Sequence, residues 1–245
     1  MVSPHITVFV PGYNVEAWIE RCLKSIQNQR YPFFNVVMVD DASTDRTGAI
    51  MDRFDNGTSV LHNLVNVKMP RNLCCLREGN PDHVIVIVDG DDYLPHEHVL
   101  DIIAWRYEDP DLWLMYGSYT RYPDPTLMPN PALPYPADVI AGRSFRQYSA
   151  DALLYNHPLT FRRRLLQNIE DWELQDDQGV WFETCYDHAI MMPMLEMAAP
   201  DHFKWNPEVL YVYNEENPHS EAKQTRDIAV RTHNIINARP KRDQL

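Results

Sequence analysis

Five consecutive β-branched residues, Val84 to Val88, run directly into Asp89-Gly90-Asp91-Asp92. An unbroken apolar run of this kind suits a strand covered on both faces, as in a mainly parallel sheet between helices. Parallel neighbours need crossover helices, and the flanking sequence supplies them. Ile6 to Val10 is a β-rich run closed by Pro11-Gly12, and from Val15 to Gln29 apolar Trp18, Ile19, Cys22, Leu23 and Ile26 recur at helical spacing. Phe34 to Val39 is a second buried-type strand, ending in Asp40-Asp41, and Ser43 or Thr44 is placed to cap a helix from Arg46 to about Phe54. Val60 to Lys68 reads as a third strand, and Pro95 opens a helix that runs to about Tyr107. The expected class is α/β, with a Rossmann-like, mainly parallel sheet flanked by helices.

The second half has a different texture. After a strand at Leu112 to Tyr116, six prolines between Tyr122 and Pro136 predict a long surface loop. Helical patterns follow at Ser144 to Tyr155, Leu159 to Ile169 and Thr184 to Met197, then a strand at Val209 to Tyr213 and a polar helix from Glu221 to Ala238. The expected organisation is one domain, with a first half over 1–118, a second half with a helical portion over 119–219, and a C-terminal helix and tail over 220–245.

The 245 residues carry a formal charge of -13, which speaks against a nucleic-acid binder, since that would carry a basic stripe facing the phosphates. No apolar run reaches the roughly 18 residues of a membrane span, and the N-terminus enters a strand without a charged leader. The reading is a soluble, cytoplasmic chain with no membrane span. Its four cysteines form no C-x-x-C pair, which points to reduced thiols.

In open α/β sheets, ligands bind beyond the carboxyl ends of the strands. Three such ends are polar here: Pro11-Gly12-Tyr13-Asn14, Asp40-Asp41-Ala42-Ser43-Thr44-Asp45 and Asp89-Gly90-Asp91-Asp92. Carboxylates this close repel one another unless a cation or hydrogen-bond donors compensate. A hard divalent ion, Mg²⁺ or Mn²⁺, takes one or two carboxylates plus phosphate oxygens, and Asp89 and Asp91 are placed to supply the carboxylates. The ion would let an acidic protein hold a diphosphate.

Taken in order, Val8-Phe9-Val10-Pro11-Gly12-Tyr13-Asn14, Val39-Asp40-Asp41-Ala42-Ser43-Thr44-Asp45, Arg71-Asn72 and Val88-Asp89-Gly90-Asp91-Asp92 resemble the motifs of the family 2 glycosyltransferases of GT-A fold. The resemblance covers residues 5 to about 108. It implies inverting transfer of a sugar from a nucleoside diphosphate sugar, with UDP as the usual nucleotide, to an acceptor hydroxyl on a glycan, lipid or small molecule. Carried onto this chain, it gives Pro11, Tyr13, Asn14 and Asp41 to the nucleoside, Arg71 to the base or diphosphate, Asp89 to ribose and metal, Asp91 to the metal, and Asp92 to the donor sugar or acceptor. The family's general base is an Asp that often follows a Glu at the start of a late helix. Asp187 matches that position with Tyr186 in place of the Glu, and Glu183 is the runner-up. A late metal-binding His in some relatives is matched by His219. Arg162, Arg163 and Arg164 are further candidates for phosphates or an anionic acceptor, and Trp172, Trp181 and Phe182 for stacking on a sugar.

Two alternatives use similar parts. A sugar-phosphate nucleotidyltransferase would need a Gly- and Arg-rich loop after the first strand, where this chain has Tyr13-Asn14-Val15-Glu16. A non-catalytic nucleotide- or glycan-binding module on the same fold would not need intact Asp89, Asp91 and Asp187. From Leu165 to Phe203 there are nine acids and no Lys or Arg, which suggests a neutral or basic acceptor rather than a polyanion.

Overall fold

A computed structural model describes residues 3–54, 59–125, 132–149, 154–218 and 226–245. One seven-stranded mixed sheet runs through the chain in the order β3-β2-β1-β4-β6-β5-β7. Its strands are β1 (Ile6–Gly12), β2 (Phe34–Asp40), β3 (Ser59–His62), β4 (Val84–Ile87), β5 (Leu114–Tyr122), β6 (Leu159–Arg162) and β7 (Phe203–Asn214). The first four pair in parallel, β6 runs antiparallel between β4 and β5, and β7 pairs in parallel with β5. Helices α1 (Ile19–Gln27), α2 (Thr47–Met51), α3 (Met69–Leu73) and α4 (Val99–Arg106) belong to the first half. The second half contributes α5 (Ala137–Gly142), α6 (Phe145–Ser149), α7 (Arg163–Gln167), α8 (Tyr186–Ala198) and α9 (Arg226–Ala238).

The run at Val84 to Val88 is buried throughout, as a two-sided strand must be. Its side chains alternate between two cores. Val84, Val86 and Val88 join Val8, Val10, Ile19, Leu23 and Ile103 on the α1/α4 face, while Ile85 and Ile87 join Phe9, Phe161 and Ile190 on the α8 face. Helix α8 is buried at every residue from His188 to Ala198, so over that span it has no solvent-exposed face and serves as the central helix of its layer.

Several expectations are corrected. Leu159 to Ile169 is not one helix: Leu159–Arg162 is strand β6, because the open edges of β4 and β5 offer unpaired backbone groups that a helix would leave unsatisfied. The third strand is shorter than Val60 to Lys68; of the expected helix from Ser144 to Tyr155, α6 covers Phe145–Ser149, residues 150–153 lie outside the described residues, and Leu154 and Tyr155 are not helical. The proline-rich stretch is not all surface, since β5 extends to Tyr122 and Ala132 and Tyr135 are buried. Neither Ser43 nor Thr44 caps α2; the Asp45 carboxylate accepts from Thr47 N at 2.9 Å. Both halves of the chain share the one sheet, and no helix among the described residues is long and apolar enough to cross a membrane.

Candidate active site

The carboxyl ends of β1, β2 and β4 lie side by side, because these strands are parallel neighbours. Backbone bonds lock their loops together: Asp41 N donates to Gly12 O at 2.9 Å and Gly90 N to Pro11 O at 3.0 Å. A Cβ on Gly90 would lie 2.8 Å from Pro11 O, so only glycine permits this approach. Asn14, held at a φ of 53°, binds the β2 loop through both its amide and its side chain: N donates to Ser43 Oγ at 3.0 Å and Oδ1 accepts from Thr44 N at 2.8 Å. Its place is thus structural as well as next to Tyr13, which is exposed at the rim, and half-buried Pro11.

Asp41 is buried, and its carboxylate accepts from Asn63 Nδ2 at 2.7 Å, Val67 N at 2.8 Å and Lys68 N at 2.9 Å. It therefore shapes the loop after β3 that leads into α3. Arg71 on α3 is exposed, with its guanidinium 5.9 Å from the ring centre of Trp181.

The turn after β4 is the centre of the site. The Tyr186 hydroxyl lies 3.1 and 3.0 Å from the two Asp89 carboxylate oxygens. Asp89 N donates to the Tyr211 hydroxyl at 3.1 Å, and that hydroxyl donates to Asp92 Oδ2 at 2.7 Å. Asn214 N donates to Asp92 Oδ1 at 2.7 Å, and Asn217 Nδ2 to Asp91 Oδ2 at 2.7 Å. One hydrogen-bonded chain thus joins the β4 turn to the start of α8 and the end of β7. Asp92 is buried and held entirely by Tyr211 and Asn214, which makes it the anchor of the turn.

Desolvation, then the charge of Asp91, pushes the Asp89 carboxyl up to about 7; Tyr186 opposes the shift and Asp187 adds to it. Burial first, and then Asp91 and Asp89, also raise Asp92 well above the usual carboxylate range. A crowded acid cluster of this kind favours a bound cation. The donor set, hard carboxylate oxygens of Asp89 and Asp91, fits Mg²⁺ or Mn²⁺ shared with a phosphate. Among the described residues no group of three or more His, Cys, Asp or Glu is disposed to hold an ion.

Asp187 occupies the first turn of α8, beside Tyr186, and its charge acts on Asp89, His157 and His233. Glu183 is exposed and precedes the helix. Cys185, at a φ of 61°, makes the left-handed turn that brings Tyr186 and Asp187 into the site. Behind them His188 is fully buried, with Nδ1 2.8 Å from the Tyr155 hydroxyl and Nε2 2.8 Å from Asn237 Oδ1 of α9. The His157 ring stacks on Tyr211 with centroids 4.6 Å apart.

The arginine run is not at this site. Arg162 pairs with Val84 at the opposite end of β4, and its guanidinium donates to the carbonyls of Leu112, Asp82, Tyr107 and Asp109. Arg163 is buried, and Arg164 pairs with Asp82. Phe182 is buried under Arg239, whereas Trp172 is half exposed beside the same guanidinium. His219 lies outside the described residues. Tyr211, Asn214, Asn217 and His157 were not marked by their sequence. For Asn214 and Asn217 the strand-end rule was a usable signal, since both sit at or just past the end of β7.

The mixed sheet flanked by helices, with an acid-rich turn at its carboxyl edge, is an α/β fold of GT-A type, and solved structures share that fold. The mannosyltransferase PcManGT from Pyrobaculum calidifontis, solved with GDP-Man and Mn²⁺, superposes with a TM-score of 0.63 over 99% of this chain and 67% of its own, at 21% identity. S. aureus TarS 1-349 in complex with UDP-GlcNAc gives 0.59 over 92% of this chain and 66% of its own, at 20% identity. Residues 7–176 match Glycosyl transferase family 2, and the chain belongs to that family. Among curated relatives, glycosyltransferase GlyG of Streptococcus pneumoniae is 32% identical over 127 residues, 49% of this chain and 41% of GlyG. The poly(ribitol-phosphate) beta-N-acetylglucosaminyltransferase TarS of Staphylococcus aureus is 34% identical over 106 residues, 40% of this chain and 18% of TarS. The chain thus spans less than half the length of either.

Proposed function

We propose that this chain transfers a sugar from a nucleoside diphosphate sugar, with UDP as the nucleotide, to an acceptor hydroxyl with inversion at the anomeric carbon. The observation that carries this reading is the convergence of Asp187 with the Asp89–Asp92 turn at the carboxyl edge of the sheet. Solved relatives bound to UDP-GlcNAc and to GDP-Man with Mn²⁺ support it.

In this reading Tyr13 and the Asp41-shaped loop border the nucleoside, and Arg71 lies on the diphosphate side. Asp89 and Asp91 would hold Mn²⁺ or Mg²⁺, which when bound supplies positive charge to the diphosphate and to the leaving group. Asp92 keeps the turn in place through Tyr211 and Asn214. Asp187 accepts the proton of the attacking hydroxyl from the first turn of α8, the role of a carboxylate general base. The acceptor is a hydroxyl of a glycan, lipid or small molecule.

Thermal shift with UDP, with and without Mn²⁺, tests the donor site, since a ligand held only by the native state raises apparent stability. Asp91→Ala is expected to lose the Mn²⁺-dependent shift. Asp187→Asn is expected to keep it while transfer falls by about 10²–10⁴-fold, the usual worth of a general base. No Mn²⁺-dependent shift with any nucleoside diphosphate would refute the donor site, and near wild-type turnover in Asp187→Asn would remove it as the base.

A further inference from the structure

Tyr186 stands where the resembling family often has a Glu, and its hydroxyl is shared between both Asp89 oxygens at 3.1 and 3.0 Å. It is the first residue of α8, and Asp187 is the second. The bond therefore ties the turn that carries the acid pair to the helix that carries the candidate base. The far side of the same helical turn is fixed: His188 is clamped between Tyr155 and Asn237, and its ring stacks on His233 with centroids 4.1 Å apart. Asp89 is equally constrained, because its amide is held by the Tyr211 hydroxyl. With both ends anchored, the Tyr186 hydroxyl is a side-chain bond by which the β4 turn and the α8 N-terminus touch.

We propose that Tyr186 is a positioning residue that makes donor loading at the acid pair felt at Asp187. A ligand that orders the Asp89 carboxylate orders the tyrosine hydroxyl, and through it the first turn of α8. Tyr186 does not touch the reacting atoms in this scheme; it sets where Asp187 stands when the donor is present. Small misplacements of a reacting group are costly, roughly 10²-fold for 1 Å. The inference rests on the donor site proposed above.

The test is hydrogen exchange of the α8 first turn, which is reported by amides such as Ala189 N, the donor to Cys185 O at 3.0 Å. UDP or GDP with Mn²⁺ is the probe, and thermal shift in the same samples reports binding. In the wild type, binding is expected to slow exchange at residues 189–191. In Tyr186→Phe, which keeps the ring, the thermal shift is expected to remain and the slowing to disappear. With the sugar nucleotide that the wild type consumes, kcat for transfer is expected to fall at least tenfold while the donor KM changes less than twofold. A merely structural role would lower stability without that split. Equal slowing in wild type and Tyr186→Phe overturns the proposal, as does binding to the wild type without any slowing, which decides the matter even if the variant fails to fold. Absence of a thermal shift in the wild type with either nucleotide overturns the donor site itself, a result distinct from both.

Discussion

Gly90 sits between the carboxylates of Asp89 and Asp91, and its Cα approaches β1 so closely that no side chain fits. Gly90→Ala places a methyl 2.8 Å from Pro11 O, a backbone atom that cannot swing aside, so the turn has to move. Overpacking of this kind costs about 1–3 kcal/mol. The expected outcome is a lower midpoint in urea together with loss of the Mn²⁺-dependent thermal shift. A second residue-scale prediction concerns His62, which lies 3.2 Å from Asp40 Oδ2 and 2.9 Å from Asp52 Oδ1. The bonds to Asp52 and then Asp40 raise its pKa, so the folded state holds the proton more tightly than the unfolded chain. Its contribution to stability is therefore full below the unfolded value of about 6.5 and is lost as pH rises through the folded one. The ring is half exposed and solvent screens the pairs, so the effect is small. The difference in Tm between wild type and His62→Gln should be present at about pH 5.5 and vanish by about pH 9; a difference that grows with pH would be evidence against the ion pairs.

At the scale of elements, α6, α8 and α9 are joined by one buried ion pair. Arg146 on α6 makes two bonds to Glu196 on α8, at 2.8 and 2.9 Å, and donates to Ile236 O on α9. Both side chains are almost fully buried, so removing one leaves an uncompensated charge. Arg146→Met is expected to cost about 3–5 kcal/mol, and Arg146→Met with Glu196→Leu less than that single change. Urea denaturation of the four combinations measures the difference. The elements of the first half were readable because each strand carries its own period and ends in its own polar turn. Strand β6 was not readable. Phe161, Leu165 and Ile169 recur at the four-residue spacing of a helix, and only the unpaired edges of β4 and β5 make residues 159–162 a strand. The site divides in the same way. Asp89, Asp91 and Asp92 stand in a local motif, whereas Tyr211, Asn214 and Asn217 join them through contacts across more than a hundred residues; the end of β7 marks Asn214 and Asn217, but no local pattern gives their partners or marks Tyr211. Arg162 to Arg164 misled because a run of charge gives no hint of which end of a strand it occupies.

At the scale of the molecule, the acidic stretch from Leu165 to Phe203 is less negative in three dimensions than in one. Glu196 is neutralised by Arg146, Glu173 lies 3.5 Å from Arg242, and Asp171 pairs with Arg77. A preference for an uncharged or basic acceptor would then rest on the remaining Glu170, Asp176, Asp177, Glu183, Asp187 and Asp201. The insertion of β6 has a consequence for how the chain is made. Val84–Ile87 lies mid-sheet in the finished protein, but its β6 neighbour, Leu159–Arg162, is synthesised more than seventy residues later. Until that segment leaves the ribosome, the nascent sheet has β4 as a bare apolar edge able to pair with other chains. A fragment ending at residue 118 is expected to aggregate on expression, one ending after α7 to do so less, and sedimentation of the two separates the outcomes. The strand that leads into the acid-rich turn is thus also the point at which an unfinished chain is most exposed to its neighbours.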